Sequence, residues 1–164
     1  MSSPRKCALY AGTFDPVTLG HLDLIHRGVD LFDSLVVAVA GNRNKQPAFS
    51  VEERIAMLQA EVKGLPVEVV GLQGLVVEFA QQQGIQVLLR GVRTVTDFEY
   101  EYPMAMTNRQ LACNVESVFV MPNERFAYLS SSLIKEVYAA GGELPKLLPQ
   151  AVHEALLQRL GPNA

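Results

Sequence analysis

The chain has 164 residues, of which 49% are hydrophobic and 19% charged, with a formal net charge of −3. That is enough to build one hydrophobic core without disulfides or metals, so a single domain over residues 1–164 is expected and a disordered chain is excluded. The acidic balance also excludes a broad basic face for a nucleic-acid backbone, so any anion site must be local. Cys7 and Cys113, the only two thiols, lack both a CxxC spacing and a nearby His, which points to neither a disulfide framework nor a zinc site. No apolar run approaches the roughly 18 to 20 residues that span a bilayer. The start, MSSPRKCALY, lacks the apolar segment of a signal peptide, so a cytoplasmic protein without a membrane partner is expected.

In chain order, strand-length apolar clusters occur at Cys7–Ala11, Leu35–Ala40, Val67–Leu72, Val87–Leu89 and Val118–Met121, with helical patterns between them. This alternation predicts an α/β fold, a Rossmann-like doubly wound sheet of five parallel strands with flanking crossover helices. After the first strand, Leu22, Ile25, Val29 and Phe32 form an apolar stripe at helical spacing. Ser50 stands three residues before Glu53, a capping box that opens a second helix from about Val51 to Val62. LVVEFAQQQG reads as a third helix ended by Gly84, and DFEYEYPMAMTNRQLA as a fourth. Pro103 removes a backbone donor there and crowds the preceding turn, so a kink or a helix that begins near the proline is expected. The serines of SSSLIKEVYAAGG cap a fifth helix that stops at Gly141-Gly142, and a last helix runs from about Ala151 to Leu160.

Ligands of open α/β sheets bind at the carboxyl ends of the strands. GTFDPVTLGH, residues 12–21, occupies such a place. Gly12 and Gly20 allow close backbone approach, and Thr13, Thr18 and His21 are candidate donors beside a helix N-terminus, where free N–H groups favour an anion. On its own the segment reads first as a plain turn in which Thr18 caps the helix and His21 packs on the surface. It contains neither GxGxxG nor GxxxxGK[ST], which separates it from the dinucleotide and P-loop patterns. Lys45 lies beyond the second strand, and Arg90 and Arg93 of LLRGVR lie beyond the fourth; cations at strand ends suit ligand phosphates. SSSLIKEV adds hydroxyls at another helix start, and Phe126 and Tyr128 before it can wall a nucleobase or serve as core.

Together, GTFDPVTLGH, Lys45, LLRGVRTVTDFEYE and SSSLIKEV closely resemble the bacterial phosphopantetheine adenylyltransferase family, of the nucleotidyltransferase superfamily with its Thr/His-X-Gly-His signature. The resemblance covers nearly the whole chain, and its most specific part is RGVRTVTDFEYE in register with the serine run; Tyr102 and Pro103 depart from the family pattern. It implies transfer of AMP from ATP to 4'-phosphopantetheine, giving dephospho-coenzyme A and pyrophosphate, with Mg²⁺ carried mainly by the ATP phosphates. By matching positions, it implies that Thr13, Phe14, His21, Gly91, Val92, Arg93, Glu101 and the run Phe126, Ala127, Tyr128, Leu129, Ser130, Ser131 and Ser132 surround ATP. Thr13, Lys45, Leu75, Val76 and Arg90 would take phosphopantetheine. His21 would stabilise the transition state, with Thr13, Lys45 and Arg93 assisting. A phosphate monoester, with a second pKa of about 6, needs no general base, so a direct in-line transfer without a covalent intermediate is expected. The resemblance further implies a homohexamer inhibited by coenzyme A.

Overall fold

The computed structural model describes residues 6–41 and 47–162. Lys45 therefore lies outside the described residues. The elements are β1 (Cys7–Gly12), α1 (Leu19–Leu31), β2 (Ser34–Ala40), α2 (Val51–Glu61), β3 (Val67–Leu72), α3 (Val76–Gln82), β4 (Val87–Gly91), α4 (Val95–Leu111), β5 (Glu116–Val120), α5 (Ser131–Ala139) and α6 (Gln150–Leu160). The strands form one sheet in the order β3-β2-β1-β4-β5, and every pairing is parallel. This is the expected Rossmann-like α/β fold.

Period-two alternation explains why the sheet is covered on both faces. Ala8 and Tyr10 of β1 join Leu35, Val37 and Val39 of β2 in a core closed by Ile25 of α1, Leu58 of α2, Ile134 of α5 and Leu156 of α6. Leu9 and Ala11 point the other way, with Ala38, Leu88 and Val77 and Ala80 of α3. Strand order reverses at β1, whose neighbours are β2 and β4, so the loops after β1 and β4 diverge and leave a crevice at their carboxyl ends.

The boundaries depart from expectation where long-range pairing extends an element. β4 continues past Leu89 because Arg90 and Gly91 pair with Phe119 and Val120, so Arg90 sits in the strand rather than beyond it. β5 begins at Glu116, earlier than its apolar cluster, because Val87 pairs with Glu116. α4 runs unbroken through Pro103 and does not begin there: Thr94 Oγ1 accepts the Asp97 N–H at 3.1 Å and caps the helix well upstream. Pro103 lies inside the helix and deprives it of one backbone donor. Among the described residues, no helix is long and apolar enough to cross a membrane.

Candidate active site

The loop after β1 turns sharply into α1. The space where a Gly12 Cβ would stand is filled by the Phe14 ring, 3.0 Å from that position, and Phe14 itself takes a positive φ of 49°. This tucks the Phe14 ring under the loop, edge-on to Tyr10 at 5.3 Å and to His21 at 5.0 Å between centroids. Thr13 is left exposed at the turn.

Thr18 is the N-cap of α1, and His21 occupies the third helical position of a reciprocal capping box. Thr18 Oγ1 accepts the His21 backbone N–H at 3.3 Å, and the Thr18 backbone N–H donates to His21 Nδ1 at 3.1 Å. A backbone N–H can only donate, so Nδ1 carries the lone pair and the ring proton resides on Nε2. Burial pushes the imidazole down to about 4, and the Arg93 guanidinium adds to the effect. At neutral pH His21 is an uncharged ring with one oriented donor. The structural and functional readings of the loop are therefore the same contact: the cap that ends the turn also fixes the tautomer.

These residues line a cleft of about 340 Å³ at the ends of β1 and β4, within the usual size range of small-ligand sites. The start of α1 contributes Thr18, Gly20 and His21, and the start of α5 contributes Ser131, Ser132 and Lys135. The first N–H groups of each helix lack intrahelical partners and carry partial positive charge. Ser130 caps α5 through its hydroxyl, which accepts the Leu133 N–H at 3.1 Å, and Ser131 Oγ donates to the Pro16 carbonyl at 2.9 Å, tying the two helix starts together.

The cations are held by carboxylates. Arg90 makes a two-pronged pair with Glu101 at 2.7 and 2.5 Å and donates to the Ala11 carbonyl at 3.0 Å. Arg93 pairs with Asp97 at 2.9 and 3.1 Å and donates to the Leu129 carbonyl. Lys135 meets Asp15 at 2.6 Å. Asp15 also accepts the Ala48 and Phe49 N–H groups, each at 3.0 Å, so the residues before α2 are pinned to the β1 loop.

Of the residues singled out in the sequence, Thr13, Phe14, His21, Arg90, Gly91, Arg93, Leu129, Ser130, Ser131 and Ser132 border this one cleft. Gly12, Thr18 and Gly20 border it too, Lys45 lies outside the described residues, and the remaining ATP and phosphopantetheine candidates do not border it. Val92 is buried, its N–H donating to the Val120 carbonyl, and Glu101 lies behind Arg90. Phe126 is in the core, Ala127 follows it in the turn, and Tyr128 is mostly exposed. Leu75 and Val76 start α3 and do not border the cleft. Asp15, Lys135 and Arg54 were not anticipated. Lys135 carried a signal, since it follows Ser131 by four residues and shares its helix face; Asp15 carried none, because its partners are distant in sequence.

The fold is shared with solved structures. One, from Vibrio parahaemolyticus and named as a nicotinate-nucleotide adenylyltransferase, superposes with a TM-score of 0.69 at 18% identity, over 94% of this chain and 93% of that one. A lipopolysaccharide core biosynthesis protein from Thermoplasma volcanium gives a TM-score of 0.57 at 23% identity, over 73% of this chain and 99% of that one. The cytidylyltransferase-like family matches residues 9–137, a span that starts within β1 and includes the capped His21, Arg90, Arg93 and the serine-capped start of α5. With a parallel sheet, a cleft at its switch point and that match over most of its length, the chain belongs to the cytidylyltransferase-like family of the nucleotidyltransferase superfamily.

Proposed function

We propose that this protein transfers AMP from ATP to 4'-phosphopantetheine, releasing pyrophosphate and forming dephospho-coenzyme A. The observation that carries a nucleotidyl transfer is the neutral His21, its proton on Nε2, set in a cleft between the starts of α1 and α5. The carboxylates around the cleft, Asp15, Asp97 and Glu101, are each engaged by a cation, which suits a reaction without a general base. The acceptor choice rests on the resemblance of RGVRTVTDFEYE and SSSLIKEV to the phosphopantetheine adenylyltransferases.

In this reading the acceptor phosphate, a dianion above its second pKa of about 6, attacks the α-phosphorus in line and pyrophosphate departs. The chain must align two mutually repelling anions and stabilise the charge that grows on the α-phosphate. His21 Nε2–H donates to that charge, Arg93 and the helix starts hold the nucleotide phosphates, and Thr13, Lys45 and Arg90 hold the acceptor. Among the described residues, no group of three or more His, Cys, Asp or Glu side chains could cage a metal. In this reading, as the family resemblance implies, Mg²⁺ is carried mainly by the ATP phosphates, where it would offset the charge of the leaving pyrophosphate.

The same resemblance carries a homo-oligomer, hexameric in the family, and inhibition by coenzyme A, which shares its pantetheine with the product. The exposed side chains of α4 support assembly: Phe98, Tyr100, Tyr102, Met104, Met106 and Leu111 all face solvent. An apolar helix surface of this extent is ordinarily covered by protein.

The decisive assay measures pyrophosphate released from ATP and Mg²⁺ with 4'-phosphopantetheine, and in parallel with nicotinate mononucleotide. Release with the first acceptor alone is expected. Release only with the second overturns the acceptor, and release with neither overturns the transferase.

A further inference from the structure

Arg54, on the first turns of α2, is 1% exposed and is among the largest fully buried side chains. Its guanidinium makes no ion pair with any carboxylate among the described residues. The nearby acids are committed or solvated: Asp15 to Lys135, Glu53 to Arg159, and Glu52 on the exposed side of the helix. The sequence between residues 41 and 47, NRNKQ, contains no acid either and adds two cations. All the recorded partners of Arg54 are carbonyls. Nε donates to Phe49 and Ser50, each at 3.1 Å, and Nη1 donates to Thr13 at 2.6 Å and Ala40 at 3.0 Å.

Two consequences follow from elementary electrostatics. A buried cation without a counter-ion is costly, and it projects a field that water does not screen. Carbonyl oxygens offset part of that cost, but the net charge remains, directly behind Thr13 on the floor of the cleft. Nη1 joins the Thr13 carbonyl, just after β1, to the Ala40 carbonyl at the end of β2, while Nε holds the Phe49 and Ser50 carbonyls at the start of α2, so the guanidinium ties the Thr13 turn to the place where α2 begins. Lysine, with a single nitrogen, cannot hold both pairs of carbonyls at once.

We propose that Arg54 is a positioning residue for phosphate binding: it fixes the Thr13 turn through its carbonyl, and its uncompensated charge is neutralised by the anionic ligand that enters the cleft. This rests on the nucleotide reading of the cleft given above.

The test compares Arg54→Lys, Arg54→Met and Leu58→Ala, the last a core truncation on the same helix whose side chain has no donor for these carbonyls. Binding of magnesium pyrophosphate is measured by calorimetry, and kcat in the adenylyl-transfer assay. Arg54→Lys keeps the charge and loses the fork, so its Kd should stay within about threefold of the parent while kcat falls at least about tenfold. Arg54→Met loses both, and its Kd should rise at least about tenfold. Leu58→Ala should lower the melting temperature with Kd and kcat unchanged. If both Arg54 variants bind and turn over like Leu58→Ala, the inference is overturned and Arg54 is a packing residue. If Arg54→Met does not fold, the kcat of Arg54→Lys against Leu58→Ala decides alone. A parent protein that binds no pyrophosphate overturns the nucleotide reading, and the inference with it; a parent that binds while the variants do not differ overturns only the inference.

Discussion

His21 shows how one contact caps a helix and, in the proposed transfer, also prepares a donor for the chemistry. Accepting the Thr18 N–H on Nδ1 satisfies a donor at the start of α1 and leaves Nε2–H as the only ring donor. Replacing His21 by Ala should lower kcat by about 10²- to 10³-fold, the usual loss for one preorganised donor, with KM for MgATP within about threefold. Steady-state kinetics would check this; a loss confined to KM would make His21 a ground-state contact. The depressed pKa also has a stability consequence. The unfolded imidazole titrates near 6.5 and the folded one near 4, so the contribution of neutral His21 is fully present above pH 6.5. As pH falls from 6.5 toward 4 the unfolded state takes up the proton first and stability declines, and below that window the decline from this group ends. Thermal melts from pH 8 to 4 should show that slope, and His21→Gln, which keeps a capping acceptor but does not titrate, should flatten it.

At the scale of elements, the site depends on how closely helices approach strand ends. α1 lies against the end of β4 because residue 91 has no side chain: a Cβ there would stand 2.3 Å from Leu24 Cδ1. Gly91→Ala should therefore destabilise the fold by about 1–3 kcal/mol as Leu24 is driven from its place, measured by urea unfolding. It should also weaken nucleotide binding, because moving α1 moves His21. Capping signals are local and were legible: Ser50 with Glu53, and Ser130 opening α5, stand where the sequence places them. The extension of β4 through Arg90 and Gly91 was not legible, because it depends on pairing with β5 rather than on apolar character. The fate of Pro103 was decided by Thr94, whose cap starts α4 upstream of the proline.

For the molecule as a whole, the exposed apolar surface of α4 is the feature that calls for a partner, and the proposed assembly gives it one. Phe98, Tyr102 and Met106 recur at fourth positions along α4 and border a groove with Phe119 of β5, one of the two edge strands. The double substitution Tyr102→Glu and Met106→Glu should convert an oligomer to a smaller species in size-exclusion chromatography with light scattering, with far-UV circular dichroism unchanged. An oligomer that survives it does not use this face. The α/β class, the order of elements and the placing of GTFDPVTLGH and the serine run each at a helix start were determined by the sequence alone, because periodicity, capping and turn chemistry act between residues a few positions apart. Only the tertiary structure decided which charges meet. Glu101 backs Arg90, Asp15 holds Lys135, and Arg54 stands behind Thr13 without a counter-ion among the described residues, because such pairings depend on which strand ends the sheet order brings together. The sheet order places β4 beside β1 across distant sequence, and no local pattern records that choice.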